Sequence, residues 1–393
     1  MSHLDAFVAA EFSLVLGFIS FKYIEKLFLE SRFFLTFGYL ILMLTATLSM
    51  TSVNVGYVGD NVNVKELNFS LTVSDVVLLE LTVKLLEKAC YEFSSVPYLP
   101  ANVTSSMREK AMQINKDMRA EKLPVLKNMY HLKDLMYEKH FTQSKLSINY
   151  HDYFEGNGTL TVVVMGNSYA HSGFPSVINA FGEYIKEIHL LSNSACQPFL
   201  NLAKYAPGSY RNFCPKFVKC SLALIDDLKP DIVFFIFKPA FGTLRKITNI
   251  TTDQVTADMQ ETINRVSKST KAVLIQMPLP SSDKSYTDLM LKVLEKKQSF
   301  DGLYITFSSF REFYHFAIKR MERLHCGNCV KVYGHRIFCD SKICRVFDPD
   351  NLISFYDYSF HFNSYGQRCL TRLYRDTFLE LIADKSFDKI RVV

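Results

Sequence analysis

Residues 160–165, Leu160-Thr161-Val162-Val163-Val164-Met165, form a continuous apolar run that stops at Gly166-Asn167-Ser168. A run of β-branched residues with no polar alternation suits a strand covered on both faces. Similar runs recur at Asp231-Ile232-Val233-Phe234-Phe235-Ile236-Phe237 and at Ala272-Val273-Leu274-Ile275-Gln276-Met277, the latter ended by Pro278 and Pro280. Between them the apolar residues change to helical spacing: Val177, Phe181 and Tyr184/Ile185; Ser221 to Leu228; then Val255, Met259, Ile263 and Val266. Ile188–Leu191 reads as a short strand and Gly302–Phe307 as a candidate fourth after the three apolar runs, followed by a helix to about Arg323 and a last helix over Gln367–Ala383. Apolar strands alternating with helices predict an α/β fold with a parallel sheet and helices on both faces, and sites in such sheets lie beyond the carboxyl ends of the strands. Ser168 occupies that position.

A serine hydroxyl becomes a useful nucleophile when a base removes its proton, and the base works best when a carboxylate holds its tautomer. Near the C-terminus, Tyr356-Asp357-Tyr358-Ser359-Phe360-His361-Phe362-Asn363 supplies both groups, with Asp357 one helical turn before His361. The order Ser168, Asp357, His361 brackets the whole α/β region. Gly166 and Asn167 are read as the turn and oxyanion loop. Gly166 permits a sharp turn and close substrate approach, and the backbone N–H of Ser168 is an oxyanion donor. Each half also has an ordinary reading. Gly-Asn-Ser is common loop chemistry, and the second segment could be a surface turn with Asn363 or Ser364 capping the last helix. The two halves together favour catalysis. His171 is read as a loop histidine.

From Phe33 to Gly59 there is no charged residue, enough for a bilayer span at 33–53, and a weaker candidate covers 6–21. Lys22, Lys26 and Arg32 lie between them, which puts that segment in the cytoplasm and everything after Gly59 outside the cytosol. Four glycosylation sequons, at Asn68, Asn102, Asn157 and Asn249, fall on that outer side. Residues 1–59 are therefore read as a membrane region, 60–155 as a helical extracytoplasmic linker or packed insertion, and 156–393 as the α/β domain. Within the linker, Ser106-Met107-Arg108-Glu109 reads as a capping box. His325, Cys326, Cys329, His335, Cys339 and Cys344 have spacing that suits zinc as well as disulfides. The oxidising side of a membrane favours disulfides, for these cysteines and for Cys196, Cys214 and Cys220. Cys90 is the candidate for the odd thiol. No metal and no cofactor is expected. The net charge of +6 carries no basic stripe with interleaved aromatics, which argues against nucleic acid.

These residues resemble a family. Gly166-Asn167-Ser168-Tyr169-Ala170 is similar to the first block of SGNH hydrolases. Cys339-Asp340-Ser341-Lys342-Ile343-Cys344-Arg345, followed by Asp357 and His361, is similar to the block holding the aspartate and histidine. Phe21-Lys22-Tyr23-Ile24-Glu25-Lys26-Leu27-Phe28 looks like the motif closing the last core helix of acyltransferase 3 membrane proteins, with Leu27 where proline usually stands. The chain thus resembles the C-terminal end of such an acyltransferase with its fused SGNH domain. The resemblance implies a flavodoxin-like SGNH fold, and a membrane-anchored lumenal or extracellular O-acyltransferase or esterase. Its substrates would be O-acyl (acetyl-type) groups on carbohydrate or lipid hydroxyls, and a full-length membrane acyltransferase would be a partner. The alternatives are a catalytically silent SGNH-fold binding or regulatory module, or a fragment of a larger acyltransferase. Because the family's earlier donor-binding spans have no counterpart here, hydrolysis or transfer from a partner's product is expected rather than use of acyl-CoA. The family spaces its aspartate three residues before the histidine. Here Asp357 stands four before, and Tyr358 takes the expected place.

Overall fold

The computed structural model describes residues 97–119, 129–131, 152–281 and 284–383. Both span candidates, 6–21 and 33–53, lie outside the described residues, as do Asn68 and Cys90. Among the described residues no helix is long and apolar enough to cross a membrane.

The described chain opens with α1 (Ser105–Arg119), β1 (Met129–His131) and β2 (Asp152–Glu155), and then alternates strand and helix. β3 (Leu160–Gly166), α2 (Ser168–Phe181), β4 (Ile185–Ser192), α3 (Tyr210–Leu228), β5 (Ile232–Ile236), α4 (Gln254–Ser269) and β6 (Ala272–Gln276) follow in order. The chain continues through α5 (Tyr286–Glu295), β7 (Tyr304–Thr306), α6 (Phe307–Phe313) and α7 (His315–Arg323) to β8 (Cys329–Val332). After α8 (His335–Phe338), the short strands β9 (Ile343–Arg345), β10 (Phe347–Asp348) and β11 (Ile353–Ser354) lead to the terminal helix α9 (Ser364–Ala383).

One sheet has the strand order β1-β2-β4-β3-β5-β6-β8. β3 pairs in parallel with β4 on one side and β5 on the other, and β5, β6 and β8 continue in parallel. The winding therefore runs from β3 out to β4, back past β3 to β5, and onward to β6 and β8. This is a doubly wound sheet whose direction changes at β3. Right-handed crossovers place α2 on one face and α3 and α4 on the other. Consistently, α2 packs against α9, while α4 packs against α3 and α7. Val162 to Met165, Ile232 to Phe235 and Val273 to Ile275 have essentially no exposed surface, as strands covered by helices on both faces require. Phe181 stacks on Phe378, and Tyr374 meets Phe234 edge-on, which ties α2, α9 and β5 into one aromatic layer.

Three features differ from the sequence reading. The fifth parallel strand is β8, inside the cysteine cluster. The expected fourth strand, β7, instead pairs antiparallel with β9 in a separate small sheet. The sheet also starts ahead of residue 156. β2 pairs antiparallel with β4 and β1 with β2, and these short strands lack the apolar runs that mark the central ones. Finally, the cap of α1 is Thr104, whose Oγ1 accepts from Met107 N at 3.2 Å, so the helix starts before the expected capping box.

α1 is fastened to the C-terminal part of the domain. Asn115 is fully buried; its Nδ2 donates to the Ala111 and Leu352 carbonyls at 2.7 and 2.8 Å, and its Oδ1 accepts from Ser354 N at 2.8 Å. The Arg108 guanidinium donates to the Val293 carbonyl at 3.1 Å, and the Arg119 carbonyl accepts from Tyr358 N at 3.2 Å. Arg119 also pairs with Asp288 at 2.6 Å, but both partners are exposed and such pairs contribute little. Asn115→Ala would strand a buried carbonyl and a buried N–H, a loss of about 1–3 kcal/mol. We expect thermal unfolding of this variant to shift down by a few to about ten degrees. An unchanged melting temperature would show that α1 is not held by this contact.

Candidate active site at the end of β3

At Gly166, the last residue of β3, an added Cβ would lie 1.7 Å from the Ile236 carbonyl oxygen. The glycine is thus required by the approach of β3 to β5, rather than by the sharp turn and substrate access the sequence suggested. Asn167 follows, and it is buried. Its Oδ1 accepts from Tyr169 N at 3.1 Å and from Lys238 N at 3.2 Å, and its Nδ2 donates to the Lys238 carbonyl at 3.0 Å. The Ser192 hydroxyl donates to the Asn167 carbonyl at 2.7 Å. One residue therefore caps α2 and ties the turn to the ends of both neighbouring strands. With its side-chain amide engaged this way, Asn167 acts on the loop and does not reach toward a substrate. Ser168 opens α2 at the point where the winding reverses, half-exposed above the sheet.

His361 reaches this serine from 193 residues further along the chain: its Nε2 lies 2.8 Å from Ser168 Oγ. It is presented by a tight hairpin-like loop rather than by the helical turn the spacing suggested. Tyr356 and Phe362 are bridged antiparallel, and Asp357 N donates to the His361 carbonyl at 2.9 Å. Phe360 closes the loop with φ 69°, a left-handed conformation that costs a non-glycine residue energy and is characteristic of functional loops. The Tyr169 hydroxyl donates to the Phe360 carbonyl at 2.8 Å, and the Tyr169 ring lies 4.8 Å from the imidazole. α9 then starts under the cap of Asn363, whose Oδ1 accepts from Gly366 N at 3.0 Å.

Asp357 does not bond the imidazole directly, since its Oδ2 lies 3.9 Å from His361 Nδ1. Ser359 stands between them. Its Oγ is 2.8 Å from His361 Nδ1 and 2.8 and 2.9 Å from the two carboxylate oxygens. Asp357 Oδ1 also accepts from Ser359 N at 2.7 Å and His361 N at 3.0 Å, so the carboxylate shapes the loop as well. Ser359 is the residue the sequence reading missed. Burial lowers the basicity of His361; Asp357 raises it, and Lys238 lowers it further. An imidazole held this way stays neutral, and able to accept a proton, below its ordinary titration range.

The other singled-out residues lie elsewhere. His171 is in the first turn of α2, not a loop, with Nε2 3.8 Å from Asp152. The cysteines with zinc-like spacing are paired as Cys326–Cys329 and Cys339–Cys344, and a third disulfide joins Cys196 to Cys214. That third bridge pins the loop leaving β4 to α3, and Cys220 lies outside these bridges. His335 packs on Phe310, where burial pushes its imidazole down to about 4. The sequons at Asn102, Asn157 and Asn249 are exposed.

A family model described as the SGNH domain (fused to AT3 domains) matches residues 138–376. The chain belongs to this family. The matched stretch holds the whole parallel sheet and all the site residues, whereas α1 precedes it. Comparison with curated proteins finds no match. Among solved structures, the SGNH chain is similar to the periplasmic domain of a lipopolysaccharide acetyltransferase from Salmonella ser. Paratyphi A. The identity is 16% and the TM-score 0.40, over 57% of this chain and 85% of that one. It is also similar to a candidate acylhydrolase from Bacteroides fragilis, at 13% identity and TM-score 0.30, over 64% of this chain and 100% of that one.

The electrostatics of the SGNH site have a direct test. In an NMR titration His361 should show a midpoint below 6.5, its ordinary value. Because Lys238 opposes the imidazolium, Lys238→Gln should move the midpoint up. A midpoint that is unchanged, or that falls, would contradict the placement of Lys238 beside the imidazole.

Proposed function

We propose that this SGNH domain processes O-acyl esters, with Ser168 as nucleophile, His361 as general base and Asp357 as the carboxylate behind the base. The observation that carries the reading is the 2.8 Å contact between Ser168 Oγ and His361 Nε2, made by residues from opposite ends of the domain. Nucleophile and base in hydrogen-bond reach, with the base oriented by a further group, is the arrangement nucleophilic acyl transfer requires.

In this mechanism His361 Nε2 takes the Ser168 proton as Oγ bonds to the ester carbonyl carbon. The carbonyl π electrons move to oxygen. The backbone N–H of Ser168, in the first turn of α2, is one of the helix donors with no partner inside the helix, and it faces developing negative charge with the helix dipole behind it. Collapse of the tetrahedral species breaks the ester C–O bond, and the leaving alkoxide takes the proton from His361. The acyl-serine is then passed to a hydroxyl or to water, which His361 deprotonates in turn.

The acyl groups are of acetyl type, carried on carbohydrate or lipid hydroxyls. The enzyme is anchored to a membrane by its N-terminal region, with the SGNH domain lumenal or extracellular. The disulfides favour an oxidising compartment, and the positive residues before Phe33 favour that orientation. Within this scheme a full-length membrane acyltransferase is the partner that supplies acyl groups.

A fluorophosphonate probe should label the protein covalently at Ser168. Ser168→Ala should abolish labelling, and His361→Ala should slow it on the order of a thousandfold, with the double variant no worse than Ser168→Ala alone. An unreactive unmutated protein with intact circular dichroism would favour a silent binding module instead.

A further inference from the structure

The proton order along Asp357, Ser359 and His361 follows from the chemistry of the groups. A carboxylate only accepts, and Ser359 has a single hydroxyl proton with both Asp357 oxygens within 2.9 Å. That proton therefore goes to Asp357. Toward the imidazole, 2.8 Å away, Ser359 Oγ presents a lone pair, so His361 Nδ1 must carry the ring hydrogen. Nε2 is then bare, and it is the atom 2.8 Å from the Ser168 hydroxyl. All the hydrogen bonds run in one direction, from Ser168 to Asp357.

We infer that Ser359 is a positioning residue that transmits the carboxylate's control of tautomer to His361, replacing the direct carboxylate–imidazole bond that the 3.9 Å separation rules out. The inference rests on the reading of His361 as the base, and assigns how that base is held. It also accounts for the long spacing between Asp357 and His361. The extra residue gives the loop room for a hydroxyl between the two, and the carboxylate keeps the loop closed through the Ser359 and His361 N–H groups.

The consequence is an epistasis that a merely structural serine would not produce. In Asp357→Asn the side-chain oxygen can still accept from the loop N–H groups, so the loop is retained. Its amide nitrogen, however, donates to Ser359 Oγ. The Ser359 proton is then turned toward Nδ1, and the ring hydrogen is forced onto Nε2, which can no longer accept from Ser168. Without the Ser359 hydroxyl the amide has no way to impose this inversion.

The test combines two readouts on the full chain and on Ser359→Ala, Ser359→Thr, Asp357→Asn and the Ser359→Ala/Asp357→Asn double variant. The first is the nitrogen chemical shifts of His361, which report the tautomer of the neutral ring. The second is the rate of fluorophosphonate labelling. The unmutated protein should hold hydrogen on Nδ1, and Asp357→Asn should move it to Nε2. In the Ser359→Ala background the same change should leave the tautomer unaltered. Ser359→Ala should slow labelling about ten- to a hundredfold, the scale of losing one hydrogen bond to a charged group, and Ser359→Thr should restore it. Asp357→Asn should be slower still, and the double variant should recover to the rate of Ser359→Ala. If Asp357→Asn shifts tautomer and rate equally with and without the Ser359 hydroxyl, the carboxylate acts without the serine and the inference is overturned. If Ser168→Ala labels as fast as the unmutated protein, the nucleophile assignment fails instead, and the nitrogen shifts still decide the role of Ser359.

Discussion

Where β3 meets β5, the Gly166 backbone lies so close to Ile236 that no side chain can stand between them, and the next residue bonds Lys238 through both ends of its side-chain amide while capping α2. These contacts fix the height and direction at which the chain leaves the sheet. Ser168 inherits its position from them, since it is the first residue of a helix whose cap is Asn167. Buried strands that pair in parallel give this junction its rigidity: β3 is hydrogen-bonded on both sides along its length. A loop serine on a softer scaffold would not meet a histidine from the other end of the domain at hydrogen-bond distance.

The histidine arrives by a different device. Its loop is closed by backbone bonds at its base, by a left-handed residue at its tip, and by a carboxylate inside it. Around it, Asn363 donates to the Ser354 and Tyr356 carbonyls, and Asn115 of α1 bonds Leu352 and Ser354. A helix that precedes the matched family stretch thus helps hold the loop carrying His361.

The central strands were legible in the sequence because β3, β5 and β6 are covered on both faces, and that condition writes an uninterrupted apolar run. β8 was not legible because Cys329-Val330-Lys331-Val332 is short, contains a lysine, and sits in a cysteine cluster that draws attention to metals and disulfides. β2 was not legible because Asp152-Tyr153-Phe154-Glu155 is short, begins and ends on a carboxylate, and is only partly buried, so it writes no apolar run. Ser168, Asp357 and His361 could be picked out because chemistry restricts which residue types can do those jobs. Ser359 could not, because serine is ordinary in a loop and its meaning depends on a 3.9 Å gap that only the folded chain reveals. The long Asp357–His361 spacing was visible as a departure, and that departure was the one sequence signal that something stood between the two residues.

The central claim is that Ser168 carries an acyl group in the course of reaction. Rapid mixing with an activated acetyl ester, acid quenching and peptide mass analysis test it directly. The account predicts one acetyl group on the peptide containing Ser168, formed in a burst and absent from Ser168→Ala. Acetylation at other residues to the same extent in both proteins, or no adduct at all under turnover, would contradict it.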